Sequence, residues 1–290
     1  MKHPRFPPYL RAKVQAGLTL LWTLKLPLVQ ASSPAALVAK TIHRVLGDNI
    51  SDYTYVDFCA GAGGPTPFIE KDLNARLRHT NSDGHVNDAD DSNNGIDFVL
   101  TDIAPHLEAW EEAAKRSDNI HYISTSVDAA NAPRDLLNPF TKKGSEFKAK
   151  QKVFRLFNLA FHHFEDPLAA KILQNSIDTS DGFGIFELQG RTFSSMITMS
   201  LMWPVLLLVS PFYFWNSPGH LFFTYIIPII PFVIVVDGYT SSLRTRTADE
   251  IMALISRNGS VPGWEFRSGS ECHSWPTGEM TYFIGIKGKQ

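Results

Sequence analysis

Three aspartates stand where a short apolar run ends or has just ended: Asp57 near the close of Thr54–Cys59, Asp102 after Asp97–Thr101, and Asp128 just beyond Ile120–Ser124. An acid at the end of a strand can accept hydrogen bonds from both hydroxyls of a ribose. Glycines beside it let a ligand approach the backbone with no Cβ in the way. Such glycines follow the first run, as Gly61-Ala62-Gly63-Gly64, with Cys59 ahead of them and Thr66 behind. Taken singly, each aspartate reads equally well as a helix or turn cap, and the glycines as an ordinary turn. Three acids at corresponding strand ends point instead to a nucleoside-binding corner. A fourth run, Phe154–Leu159, contains Asn158 and is followed by His162 and His163. Either histidine can serve as a general base or contact a second ligand, and either can equally cap or fill the core.

The corner excludes two common nucleotide sites. A dinucleotide fingerprint, GxGxxG, requires a glycine at 66, where this chain has Thr66. The phosphate-cradling GxxxxGK[ST] is also absent. Cys59 can be read as a thiol activated at a helix N-terminus or as a small packing residue, and no base stands at a recognisable spacing from it. The two cysteines, Cys59 and Cys272, are far apart with no CxxC spacing, so no metal site and no disulfide framework are expected. That pattern suits a reducing, cytosol-facing compartment. With 27 basic and 29 acidic residues the net charge is −2, which argues against a nucleic-acid partner.

The elements that must position these residues alternate between strand and helix. Strands are expected at 54–59, 97–101, 120–124, 154–159 and 184–188, with a closing antiparallel pair at 264–268 and 281–287. Thr66 is expected to cap a helix with Pro67 at its first position, and Asp166-Pro167 to open another. Thr247 to Glu250 forms a capping box before Ile251, with Asn258-Gly259 as the stop. The acidic run from His79 to Gly95 reads as a solvated loop. The expected fold class is α/β, a doubly wound sheet with a terminal antiparallel hairpin.

These residues resemble the class I S-adenosylmethionine-dependent methyltransferases. Asp57-Phe58-Cys59-Ala60-Gly61-Ala62-Gly63 is similar to the family's first motif, Thr101-Asp102-Ile103 to its second, and Ser126-Val127-Asp128-Ala129 to the acidic segment that borders adenine. Phe157 to Phe164, including His162-His163, resembles the fourth-strand motif of small-molecule methyltransferases. The likeness covers most of residues 51–192, resumes from Asp237 to Gly288, and extends to a fungal-type, membrane-associated subset carrying nearly the same VDFCAGAGGPTP stretch. It implies a Rossmann-like methyltransferase sheet with S-adenosylmethionine as cofactor. Asp57, Gly61 and Gly63 would border the methionine moiety, Asp102 the ribose and Asp128 the adenine, with Ile103 and Asn158 beside them. Cys59 departs from the pattern by occupying the first glycine position, where a positive φ would strain it. The amino-methylating Asn-Pro-Pro-Tyr signature is absent, since Leu159 follows Asn158. A small, lipophilic acceptor is expected, with His162 or His163 as the base.

Two apolar runs interrupt this domain. Ser195–Trp215 has no charged residue, and Leu221–Val236 follows a turn at Asn216–His220. The first suffices for a bilayer crossing, while the second is short and holds Pro228 and Pro231. Arg191 precedes the pair and Arg244 and Arg246 follow it, which places both flanks on the cytosolic side. The expectation is a membrane-embedded apolar helical hairpin over 193–236, crossing twice or dipping into one leaflet. It would leave the catalytic domain, 51–192 with 237–290, facing the cytosol. Residues 1–50 read as an N-terminal helical cover with Val14, Leu18, Leu21 and Leu24 on one face, a signal or anchor being the other reading. The rival to a membrane-attached methyltransferase is a non-catalytic membrane protein that keeps the fold as a binding or scaffold module.

Overall fold

The computed structural model describes residues 7–82, 95–140, 150, 152–257 and 259–288. Most of the expected acidic loop, residues 83–94, and Asn258 of the expected helix stop lie outside them.

Seven strands form one sheet in the order β3-β2-β1-β4-β5-β7-β6. These are β1 (Tyr53–Phe58), β2 (Phe98–Thr101), β3 (Ile120–Tyr122), β4 (Lys152–Asn158), β5 (Gly182–Glu187), β6 (Trp264–Ser274) and β7 (Gly278–Lys287). The first five run parallel, and β7 pairs antiparallel with β5. Strand order reverses between β1 and β4, which makes the end of β1 the switch point where doubly wound sheets bind ligands. All six residues of β1 are buried, as expected of a strand covered on both faces.

Helices cover the two faces. Tyr55, Phe98 and Phe154 point into a core with Val38 and Ile42 of α2 (Pro34–Leu46), Ile69 and Leu73 of α3 (Thr66–Ser82), and Trp110 of α4 (Leu107–Ala114). The alternate residues Val56, Val99 and Phe157 face Ile172 and Leu173 of α5 (Asp166–Thr179) and Leu254 of α9 (Ala248–Ser256). The capping box of α9 forms as read from the sequence, Thr247 and Glu250 exchanging side-chain to backbone bonds.

Three expectations shift. The closing hairpin is longer than expected, because the small polar residues 268–274 extend β6 as an exposed strand rather than a loop. Thr66 does not precede α3 but is its first residue, and its hydroxyl turns inward. α3 runs on to Ser82, so the acidic loop expected from His79 begins as helix, whereas α5 opens at Asp166 as expected.

The apolar segment forms an arm of three helices, α6 (Phe193–Tyr213), α7 (Pro218–Tyr225) and α8 (Ile229–Arg244). Among the described residues α6 alone is long and apolar enough to cross a membrane, with mean hydropathy 1.7; α7 and α8 together qualify only as a pair bent by 66°. Of the N-terminal helices, α2 lies on the sheet's core, whereas α1 (Pro8–Thr23) packs its Val14 against Leu206, Ile230 and Ile234 of the arm.

Candidate active site

β1 ends because the chain turns left-handed at its next residue. Cys59 has φ +67°, followed by Gly61 at +55°, Gly63 at +95° and Gly64 at +46°. Only the cysteine bears a Cβ at these positions, a conformation that costs about 1–2 kcal/mol for an L-residue. The turn is pinned to the sheet by Ala60 N donating to Thr101 O at 3.0 Å and closed by Gly63 N to Ala60 O at 2.8 Å.

Asp102, directly after β2, is the hub of the corner. Its Oδ2 accepts from Gly61 N at 3.0 Å and its Oδ1 from Ala104 N at 2.9 Å. Each oxygen keeps a further lone pair. Trp110 Nε1 donates to Gly61 O at 2.9 Å, so the Gly61 peptide is held from both sides. A Cβ built on Gly61 would meet no atom within 4 Å, so the turn faces open space.

Asp57, the last residue but one of β1, stands beside the corner. Its carboxyl is buried and accepts from the Thr66 hydroxyl, which in turn accepts from Asn158 Nδ2 at 3.4 Å. Burial pushes the Asp57 carboxyl up to about 7, with Asp102 pushing the same way and the Thr66 and Asn158 hydrogen bonds pulling down. Asn158, at the end of β4, presents the complementary feature. Its Oδ1 is buried with no protein donor among the described residues. An acceptor left so costs about 1–3 kcal/mol unless a ligand supplies the donor.

Asp128 and Ile103 are exposed, and two bonds stitch their loops together. Val127 N donates to Asp102 O at 3.0 Å, and Ser126 Oγ to Ile103 O at 2.7 Å. The Asp128 carboxylate accepts from Ala130 N at 2.9 Å, the turn-capping role weighed for it in the sequence. Farther along, Asn175 of α5 brackets Ala132 and is itself held by Arg155 Nη1 at 2.8 Å.

His162 lies past the end of β4, buried against Glu187 at the end of β5. Its Nδ1 is 2.8 Å from Glu187 Oε2, and its backbone N donates to Glu187 Oε1 at 3.1 Å. A carboxylate only accepts, so the pair places a proton on Nδ1, and in the neutral ring Nε2 is then the acceptor. His163 is exposed, its ring centred 4.1 Å from that of His162. Two cavities border His162: one of about 470 Å³ beside Arg244, Arg246 and Glu250, and one of about 370 Å³ against Glu187 and the β6–β7 hairpin. Glu187 ends a buried strand as Asp57 and Asp102 do, a signal present in the sequence but not weighed there. Thr66 and Trp110 had none beyond proximity. Among the described residues no three His, Cys, Asp or Glu side chains gather as metal ligands.

The arm reaches this site. Arg244, at the end of α8, donates to the carbonyls of His162 and His163 at 3.1 and 3.2 Å. Arg246 donates to those of Phe161 and Phe164 at 3.3 and 2.6 Å.

The strand order, with a reversal beside β1 and a terminal antiparallel pair, defines a doubly wound, Rossmann-like α/β sheet. Solved structures resembling the chain include magnesium protoporphyrin IX methyltransferase from Synechocystis with bound S-adenosylmethionine. It is 10% identical, with TM-score 0.44, over 99% of this chain and 87% of that one. A methyltransferase from Anabaena variabilis is 15% identical, with TM-score 0.44, over 99% and 98%. An O-methyltransferase family protein from Burkholderia thailandensis is 12% identical, with TM-score 0.42, over 97% and 70%. No family model matches the chain, and no curated protein does.

Proposed function

We propose that this chain is an S-adenosylmethionine-dependent methyltransferase, attached to a membrane by its arm and acting on a small, lipophilic acceptor. The observation that carries the reading is Asp102. It is a buried carboxylate at the switch point, fixed by two backbone donors and still able to accept from two ligand hydroxyls. The rest of the corner suits a cationic nucleoside. The bare Asn158 Oδ1 suits an ammonium donor. S-adenosylmethionine, when bound, supplies an electrophilic methyl carbon on a sulfonium.

This chain's residues then have separate tasks. Asp102 orients the ribose, the Gly61–Gly64 turn admits the ligand to the backbone, and Asp128 borders the adenine. His162 takes the acceptor's proton at Nε2 while Glu187 holds Nδ1–H and stabilises the imidazolium. Much of the rate comes from holding two ligands in line. The exposed apolar residues of the arm support membrane attachment, and Arg191, Arg244 and Arg246 at its foot support a cytosolic domain. The rival reading, a non-catalytic binding module, draws on the Asp57 carboxyl being engaged inward.

Turnover separates the two. With methyl-labelled S-adenosylmethionine and a lipid-extractable acceptor pool, label is expected to enter the organic phase. His162→Gln is expected to lower kcat by roughly 10²–10⁴-fold with cofactor affinity unchanged. Intact cofactor binding with no transfer to any acceptor would favour the binding module.

A further inference from the structure

Three lengths and one pair of faces determine how the arm can sit in a bilayer. The first two turns of α6 are bound to the sheet domain. Ser194 Oγ donates to Thr277 O at 2.7 Å and Thr198 Oγ1 to Thr277 Oγ1 at 2.9 Å, in the turn between β6 and β7. Only Leu201 to Tyr213 extends past these contacts, about 20 Å at 1.5 Å per residue. On α8, Tyr239 is level with Ser200, their hydroxyls 2.6 Å apart, so Ile229 to Tyr239 spans about 15 Å. Beyond it the chain bends by 66° into α7 rather than continuing straight.

The third length belongs to α1, which runs from the tip of the arm back to the sheet. Lys13 Nζ donates to Ser217 Oγ at 2.8 Å in the α6–α7 turn, and Tyr9 packs edge-on against Phe223. Val14 joins Leu206, Ile230 and Ile234, and a Cβ on Gly17 would stand 3.0 Å from Ile234. Trp22 already belongs to the sheet's own core. From the tip at Lys13 to the sheet at Trp22 is therefore about 14 Å. A bilayer's hydrocarbon core is about 30 Å thick. α8 and α1 give about half that, one leaflet's depth, and α6 about two-thirds.

The faces agree with the lengths. Helical residues two apart point about 200° apart around the axis. Ile230 and Ile234 approach Gly17 of α1 and Leu206 is buried in the same cluster, so Leu208, Phe232 and Val236 point to the opposite sides of their helices, and all three are exposed. Phe212, one turn on from Leu208, is exposed as well. The arm thus bares apolar side chains on the side turned away from its buried cluster.

We propose that the arm lies in a single leaflet of a lipid bilayer, with the α6–α7 turn, held by Lys13 of α1, on the same side as the sheet. This rests on the membrane attachment proposed above and decides between its two forms, against a two-pass hairpin. The test uses the full chain inserted into sealed microsomes, with Asn216→Cys in a Cys272→Ser background and that background alone as control. A membrane-impermeant maleimide is added before and after detergent. Labelling in sealed vesicles within about threefold of the detergent rate is expected. A rise of more than tenfold on adding detergent, in protein that alkaline carbonate leaves in the pellet, would overturn the single-leaflet arrangement alone. Release of the protein by carbonate would overturn membrane attachment itself, and the inference with it.

Discussion

The corner at the end of β1 and the apolar arm both carry residues out of their ordinary place, in opposite senses. At the corner polar groups are hidden: Asp57, Asp102, Asn158, His162 and Glu187 are all 9% exposed or less. On the arm apolar groups are bare: Phe193, Leu208, Phe212, Trp215 and Ile226 are 70% exposed or more. Single exposed apolar residues are common on any protein. A contiguous face of them marks contact with something other than water. The buried polar set is stabilised internally, each member but Asn158 Oδ1 finding partners within the fold. The arm has no internal remedy for its bare face. One region hides polar groups inside the fold, and the other bares apolar ones outside it. Arg244 and Arg246 join them by holding the His162–His163 segment from the foot of the arm.

Changes at the corner test whether its buried polar groups are indeed a working set, and the largest effect is the loss of turnover expected for His162→Gln. Next comes Asp57. With its carboxyl raised to about 7 from an ordinary value near 3.8, the folded state holds a proton that the unfolded chain has released. Stability from this group is therefore present at low pH and lost as pH rises from about 4 to 7, by at most ~1.4 kcal/mol per pH unit. Asp57→Asn removes that slope, so denaturation midpoints of wild type and variant should diverge with rising pH, in the variant's favour. Parallel curves would show that Asp57 is ionised in the fold. The smallest effect is at Cys59. Relieving its left-handed backbone with Cys59→Gly should stabilise by about 0.5 kcal/mol, strain relief outweighing the unfolded-state entropy of glycine. A fall in Tm would mean that the Cys59 side chain contributes more than its strain costs.

How much of this could be read from the sequence depends on where the partner of each residue lies. Asp57 and Asp102 were legible because a parallel sheet makes the ends of its strands into one edge, and each acid closes an apolar run. The left-handed strain at Cys59 followed from its standing where a glycine was expected. Glu187 closes a strand just as clearly, but its meaning comes from His162, 25 residues away. Thr66 suited a cap by type and position, yet burial of Asp57 gave its hydroxyl a stronger claim. On α1, the spacing of Val14, Leu18 and Leu21 announced an apolar face, but not that the arm, about 200 residues on, would meet it. The β6–β7 hairpin was underestimated because residues 268–274 are mostly exposed and held chiefly by their ladder to β7, so their side chains carry no apolar signal.

The central claim is that the Asp102 corner holds an adenosyl sulfonium, and isothermal titration of the detergent-solubilised full chain addresses it most directly. S-adenosylmethionine should bind in the micromolar range and a nicotinamide dinucleotide should not. Asp102→Ala should weaken the binding by about 10–100-fold, the loss of one or two hydrogen bonds to a charged acceptor. Equal affinity of wild type and Asp102→Ala for S-adenosylmethionine, or preferential binding of the dinucleotide, would contradict it.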